Sequence, residues 1–221
     1  MQILESQTAT VNKTADFVAK TLAERLRCGQ SVLWLVPGGS AATVAVRVSQ
    51  KLKTVPQAKL TVSLTDERFG RPAHTDSNWE QLGEAGFRLN GAALQPVLQG
   101  KSLAQTVLDF ERTLEKELRQ ADYKIGLFGI GEDGHTAGIL LKSVALKTKM
   151  LVASFQGPDF ARITITPQAI ASLDLAIVYA LGKAKYQAIR SLKENQSLAK
   201  QPAQALKQAK RLVIFTDQSI N

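Results

Sequence analysis

The chain has 221 residues, of which 44% are hydrophobic, and carries 28 Lys and Arg against 19 Asp and Glu for a formal charge of +9. A single cysteine excludes an intramolecular disulfide, and two histidines leave no cluster at metal-ligand spacing. No run of about eighteen apolar residues occurs and the first ten residues lack the pattern of a secretory signal, so one soluble, cytoplasmic domain over residues 1–221 with no membrane partner is expected.

Val18, Leu22 and Leu26 repeat at helical spacing and predict a helix over residues 14–27, followed by a buried strand over 31–36. Cys28, just past that apolar series, is expected to be a small buried or half-buried side chain without chemistry. Pro37-Gly38-Gly39-Ser40 then turns the chain, and Ala41, Val44, Val48 and Leu52 mark a second helix. A strand at 60–64 and a helix at 77–87 follow, with an amphipathic helix at Leu103, Val107, Phe110, Leu114 and Leu118. Residues 125–130, 162–166, 175–181 and 212–216 read as strands, and Thr166-Pro167 as the cap and first position of a helix. Residues 193–203, the one polar stretch resembling a linker, read as a surface loop. Strands alternating with helices predict an α/β fold, a mostly parallel sheet flanked by helices, with ligands held at the carboxyl ends of the strands.

Several candidate groups fall at such strand ends. The glycines of Gly38-Gly39-Ser40 let backbone approach a ligand, and the helix that follows aims its N–H groups at an anion. The turn matches neither the dinucleotide nor the nucleoside-triphosphate loop, so no nucleotide is implied. Arg68, in Thr65-Asp66-Glu67-Arg68, can give a two-pronged hydrogen bond to phosphate or to a carbonyl oxygen gaining charge. His74, beside Pro72 and Thr75, reads as an exposed loop histidine, and Asp76 or Ser77 as a helix cap. Gly129-Ile130-Gly131-Glu132-Asp133-Gly134-His135-Thr136-Ala137 is the strongest signal: three glycines permit a tight turn, and Asp133 can orient or polarise the His135 ring as an acid/base unit. Arg162, which opens the strand over 162–166, and Lys185, which follows the strand over 175–181, are two further anion donors, with Lys183 read as a solvated charge.

Taken together, these segments resemble those of 6-phosphogluconolactonases, in the glucosamine-6-phosphate isomerase/6-phosphogluconolactonase family. Gly38-Gly39-Ser40, Asp66-Glu67-Arg68 with Asp76-Ser77-Asn78, the Gly129–Ala137 turn, Arg162-Ile163-Thr164-Ile165-Thr166 and Gly182 with Lys185 occur in the family's order. The related deaminases typically follow Asp-Gly-His with isoleucine and an Asn-Glu-Pro segment, whereas this chain has Thr136 and then Ala137-Gly138-Ile139-Leu140. The deaminases also carry an aromatic residue where Arg68 stands. Departures from the lactonase pattern are Ala41-Ala42 in place of Thr-Pro, Phe69-Gly70 before Arg71-Pro72 where Val-Pro is common, and Leu140-Leu141 in place of Phe-Pro.

The resemblance implies a sugar-phosphate deaminase/isomerase type of fold and hydrolysis of 6-phospho-D-glucono-1,5-lactone in the oxidative pentose phosphate pathway, with no cofactor and no metal. It implies His135 as general base oriented by Asp133, Arg68 as donor to the oxyanion or the phosphate, and Gly38, Gly39, Ser40, Arg162 and Lys185 as the anion site. The partner is then a phosphorylated sugar lactone, and the assembly a monomer or small homo-oligomer. Rival readings are a deaminase or isomerase on the same fold and a catalytically silent sugar-phosphate sensor. The eight Lys and Arg against one acid, Glu194, in residues 183–211 raise a third, nucleic-acid binding. No nucleic-acid partner is expected, because only Tyr186 interleaves an aromatic ring with those charges.

Overall fold

Five apolar residues in a row, Val32–Val36, leave no polar face for water, and all five are buried in an interior strand of a parallel sheet. The computed structural model describes residues 4–8, 10–157 and 159–218. Its first half runs β1 (Leu4–Thr8), α1 (Val11–Arg27), β2 (Val32–Val36), α2 (Ala42–Lys51), β3 (Leu60–Leu64), β4 (Asp66–Arg68), α3 (Asn78–Glu84), β5 (Ala93–Leu94) and α4 (Leu103–Gln120). The second half runs β6 (Tyr123–Phe128), β7 (Val152–Gln156), β8 (Ala161–Ile165), α5 (Pro167–Ala171), β9 (Leu175–Ala180), α6 (Tyr186–Lys193) and β10 (Leu212–Thr216).

Seven strands form a parallel sheet in the order β1-β10-β9-β6-β2-β3-β5. The apolar stripes of the helices supply the rest of the core, with Val18 and Leu22 of α1 and Leu114 of α4 at 0–1% exposure. From β2 the chain proceeds to β3 on one side, while from β6 it proceeds to β9 on the other. The strand order therefore reverses between β2 and β6, and the loops leaving their carboxyl ends diverge to open a crevice.

The predicted α/β fold and its mostly parallel sheet are thus present, but one expected member is elsewhere. Residues 161–165 form β8 in a separate sheet, β4-β8-β7, in which both pairs are antiparallel. Thr65 explains the division: its N–H donates to the Val36 carbonyl of the large sheet and its carbonyl accepts from Ile165 N–H in the small one, each at 2.9 Å. One residue after β3, the strand has changed sheets.

Three local expectations are also corrected. Cys28 is exposed, because it sits at the C-cap of α1 beyond the last buried residue of the stripe, Leu26. Residues 193–203 are only partly a surface loop, since Gln201, Pro202 and Ala203 are buried at the start of a 3-10 helix, Pro202–Gln208. The helix predicted over 77–87 is shorter: Ser77 is its N-cap and it ends at Glu84, before Gly86 at φ +91°. No helix among the described residues is long and apolar enough to cross a membrane.

Candidate active site

Between β2 and α2 the segment 37–41 carries Gly39 at φ +61°, a conformation that favours glycine. The first turn of α2 has no side-chain cap and no acidic residue, so its N–H groups and positive end are left for an anion. Gly38 is needed for a different reason. A Cβ there would lie 2.0 Å from Asn78 Oδ1, so only glycine lets Asn78 reach under the loop, where its Nδ2 donates to the Asp66 carbonyl at 2.9 Å.

Alternation along β4 sorts its three charged residues onto two faces. Asp66 and Arg68 line the crevice, while the buried Glu67 turns toward α3. Glu67 Oε1 accepts from the N–H groups of Asn78 and Arg68 at 2.7 and 2.8 Å, and Oε2 from Ser77 Oγ and Trp79 N–H at 2.8 and 3.2 Å. Burial pushes the Glu67 carboxyl above its ordinary value, and these four donors oppose the shift. Glu67 thereby caps α3 and fixes it against the strand that holds Arg68.

Arg68 is paired in register with Arg162 across the antiparallel β4 and β8, which sets both side chains on one face. Arg68 Nη1 donates to the Asp76 carbonyl at 3.0 Å, yet the Nε of each arginine is buried without a partner. Two unsatisfied guanidinium donors side by side suit a multiply charged oxyanion. Asp66, 8% exposed, sits among them: burial raises its carboxyl pKa, against the bond from Thr65 and the charges of Arg162, Arg68 and His135. His74 is half-buried, not an exposed loop residue, because its Nε2 donates to the Arg68 carbonyl at 3.0 Å.

The glycine-rich turn follows β6. Gly131 N–H donates to the His135 carbonyl at 2.8 Å and Gly134, at φ +81°, donates to the Gly131 carbonyl at 3.0 Å. That closure brings Asp133 Oδ1 to 2.5 Å from His135 Nδ1 and 3.2 Å from His135 N–H. Partial burial pushes the Asp133 carboxyl up, but the bonds from the His135 backbone and ring outweigh it and hold the group below its ordinary value. An ionised carboxylate only accepts, so in the neutral ring Nδ1 carries the proton and Nε2 the lone pair.

Ala137 then takes φ +49°, a left-handed conformation that costs an alanine about 1–2 kcal/mol. The strain is held from both sides. Thr136 Oγ1 donates to the Gly129 carbonyl at 2.8 Å, and Gly138 N–H donates to Thr164 Oγ1 of β8 at 3.0 Å. The turn bearing His135 is thus tied to the sheet bearing Arg162. Lys185 closes the far side, at the N-cap of α6 after the Lys183–Lys185 3-10 turn.

A cleft of about 190 Å³ is lined by Gly38, Gly39, Ser40, Arg68, His135, Arg162 and Lys185, with Asp133 behind His135. The sequence reading missed Asp66, Asn78 and Ala137, which line the same cleft. Asp66 and Asn78 stood inside segments singled out for other residues, but nothing in their spacing foretold burial. Residues 5–215 match the family of glucosamine-6-phosphate isomerases/6-phosphogluconolactonase. The chain belongs to that family.

Within this isomerase/lactonase family, the chain is 29% identical to a 6-phosphogluconolactonase of Pseudomonas putida, over 89% of this chain and 86% of that one. It superposes with a TM-score of 0.80 on a 6-phosphogluconolactonase from Shewanella baltica, at 21% identity, covering 98% of this chain and 97% of that one. A monomeric glucosamine-6-phosphate deaminase gives the same TM-score at 20% identity, covering 99% of this chain and 98% of that one. The fold is therefore shared by both activities of the isomerase/lactonase family, and the residues of the cleft must separate them.

Proposed function

We propose that this chain is a single-domain, cytoplasmic 6-phosphogluconolactonase, which hydrolyses 6-phospho-D-glucono-1,5-lactone to 6-phospho-D-gluconate with a water activated by His135. One observation carries the reading: a histidine held through Nδ1 by Asp133 lines a single cleft with three cationic side chains, Arg68, Arg162 and Lys185. No salt bridge neutralises any of the three among the described residues. The name of the Pseudomonas putida relative supports the same reading.

The chemistry asks little of the protein, because a lactone carbonyl is already electrophilic and needs no cofactor. His135 Nε2 takes a proton from water as its oxygen bonds to the carbonyl carbon. The tetrahedral oxyanion then collapses, the bond to the ring oxygen breaks, and the imidazolium returns its proton to that leaving oxygen. Asp133 steadies the imidazolium without accepting the proton. The Gly38–Ser40 backbone, Arg162 and Lys185 hold the phosphate at the other end, which fixes the carbonyl near His135.

A coupled assay tests the function: glucose-6-phosphate dehydrogenase supplies the lactone, and product is followed above the spontaneous rate. No excess over that rate would sink the lactonase. The deaminase reading is checked by ammonia release from glucosamine 6-phosphate, which should be absent.

Kinetics should also sort the three cations. Lys185→Ala and Arg162→Ala are expected mainly to raise KM, each removing a charge-assisted contact of about 1.5–3 kcal/mol, or roughly ten- to a hundredfold. If both keep wild-type constants, neither side chain holds the phosphate. Arg68→Ala locates its own target: a fall in kcat assigns it to the oxyanion, and a rise in KM alone to the phosphate.

A further inference from the structure

His135 and Lys185 stand on separate segments, and their separation sets how a substrate can lie between them. A pair of buried glutamines lies between those two segments. Gln201 and Gln204 are 3% and 5% exposed, which is unusual for side chains of this polarity. Gln201 Nε2 donates to the Ala188 carbonyl of α6 at 2.6 Å, and Gln204 Nε2 donates both to Ser191 O of the same helix at 2.9 Å and to Gln201 Oε1 at 2.7 Å.

The other side of the clamp is the turn that carries the base. Gln201 Cγ packs against the bare face of Gly134, 2.7 Å from where a Cβ would stand, and Ala203 N–H donates to the Gly134 carbonyl at 3.0 Å. Gly134 lies between Asp133 and His135, while α6 carries Lys185 at its N-cap. Neither glutamine lines the cleft.

We propose that Gln201, braced by Gln204, is a positioning residue that sets the distance between the His135 turn and the Lys185 anchor. A buried amide with its hydrogen-bonding partners in place is stiff, since each alternative arrangement leaves a polar group unsatisfied. The clamp holds the substrate's two ends in register: phosphate at Lys185, carbonyl at His135. Misplacing reacting groups by about 1 Å can cost on the order of a hundredfold in rate, so a small slip of α6 is enough to matter.

The inference rests on the lactonase reading, and two readouts keep the failures of the two apart. The first is kcat and KM of folded Gln201→Leu, Lys185→Ala and the double variant with 6-phosphogluconolactone. Gln201→Leu should lose about tenfold in kcat/KM, and the double variant little more than Lys185→Ala alone, because spacing ceases to matter once the anchor is gone. The second is calorimetric binding of 6-phosphogluconate, which needs no turnover and should weaken in Gln201→Leu.

A wild-type protein inactive on the lactone overturns the lactonase reading and leaves product binding to judge the clamp. Losses that multiply in the double variant overturn the clamp, as does Gln201→Leu with wild-type constants and product affinity. Gln204→Leu, which spares the Ala188 bond, is judged by the same rule if Gln201→Leu does not fold. Gln196→Leu, whose amide donates to Glu194, is the control expected to keep wild-type constants.

Discussion

His135→Asn should lower turnover of the lactone by about 10²–10⁴-fold after spontaneous hydrolysis is subtracted, the range that general-base catalysis typically contributes. Asparagine keeps some bulk and a hydrogen-bonding group but cannot take a proton from water. The fold should survive, because His135 is partly exposed and the turn closes through backbone bonds from Gly131 and Gly134. Asp133→Asn should lose less than His135→Asn, as it disturbs the tautomer and leaves the base. A folded His135→Asn protein with near wild-type turnover would refute the mechanism and reduce the turn to a binding loop.

Gly131→Ala should be nearly as damaging, although it deletes no functional group. A methyl at Gly131 would stand 2.1 Å from His135 Nδ1 and 2.5 Å from Asp133 Oδ1, so it must push apart the pair that sets the tautomer. Displacement on this scale is worth about a hundredfold in kcat. Gly83→Ala is the matched control: it lies within α3 with its nearest new neighbour at 3.7 Å, and should be neutral or slightly stabilising. Comparable kcat values for the two variants, both folded, would mean that the observed Asp133–His135 contact is not the working geometry.

The parts of the fold legible in the sequence were those written in apolar periodicity. Val32–Val36, Leu60–Leu64 and Leu212–Thr216 are short runs rich in apolar and β-branched residues that read as interior strands, and each lies in the parallel sheet. Asp66–Arg68 carries no such signal, because β4 owes its existence to pairing with β8 nearly a hundred residues later. The site was legible for a related reason. Gly38, His135 and Lys185 are glycines or charges just after strands of the parallel sheet, where the rule of the carboxyl end gathers them, whereas Arg68 and Arg162 lie within β4 and β8 and reach the cleft through their antiparallel pairing. Asp66, Asn78, Gln201 and Gln204 are polar residues whose burial is decided by partners distant in the chain, such as Ala188 for Gln201 and the Asp66 carbonyl for Asn78. No local pattern records that.

The exposure of Cys28 has a practical use. It is the chain's sole thiol, and it lies on the connection entering β2, whereas the cleft opens where β2 ends. Five residues of strand separate the two ends, roughly 17 Å. A maleimide dye or a thiol-reactive surface therefore attaches at one point on the opposite pole of the molecule. Immobilised through Cys28, every copy presents its cleft outward in the same orientation, and a fluorophore there reports rotation of the whole protein without obstructing the substrate.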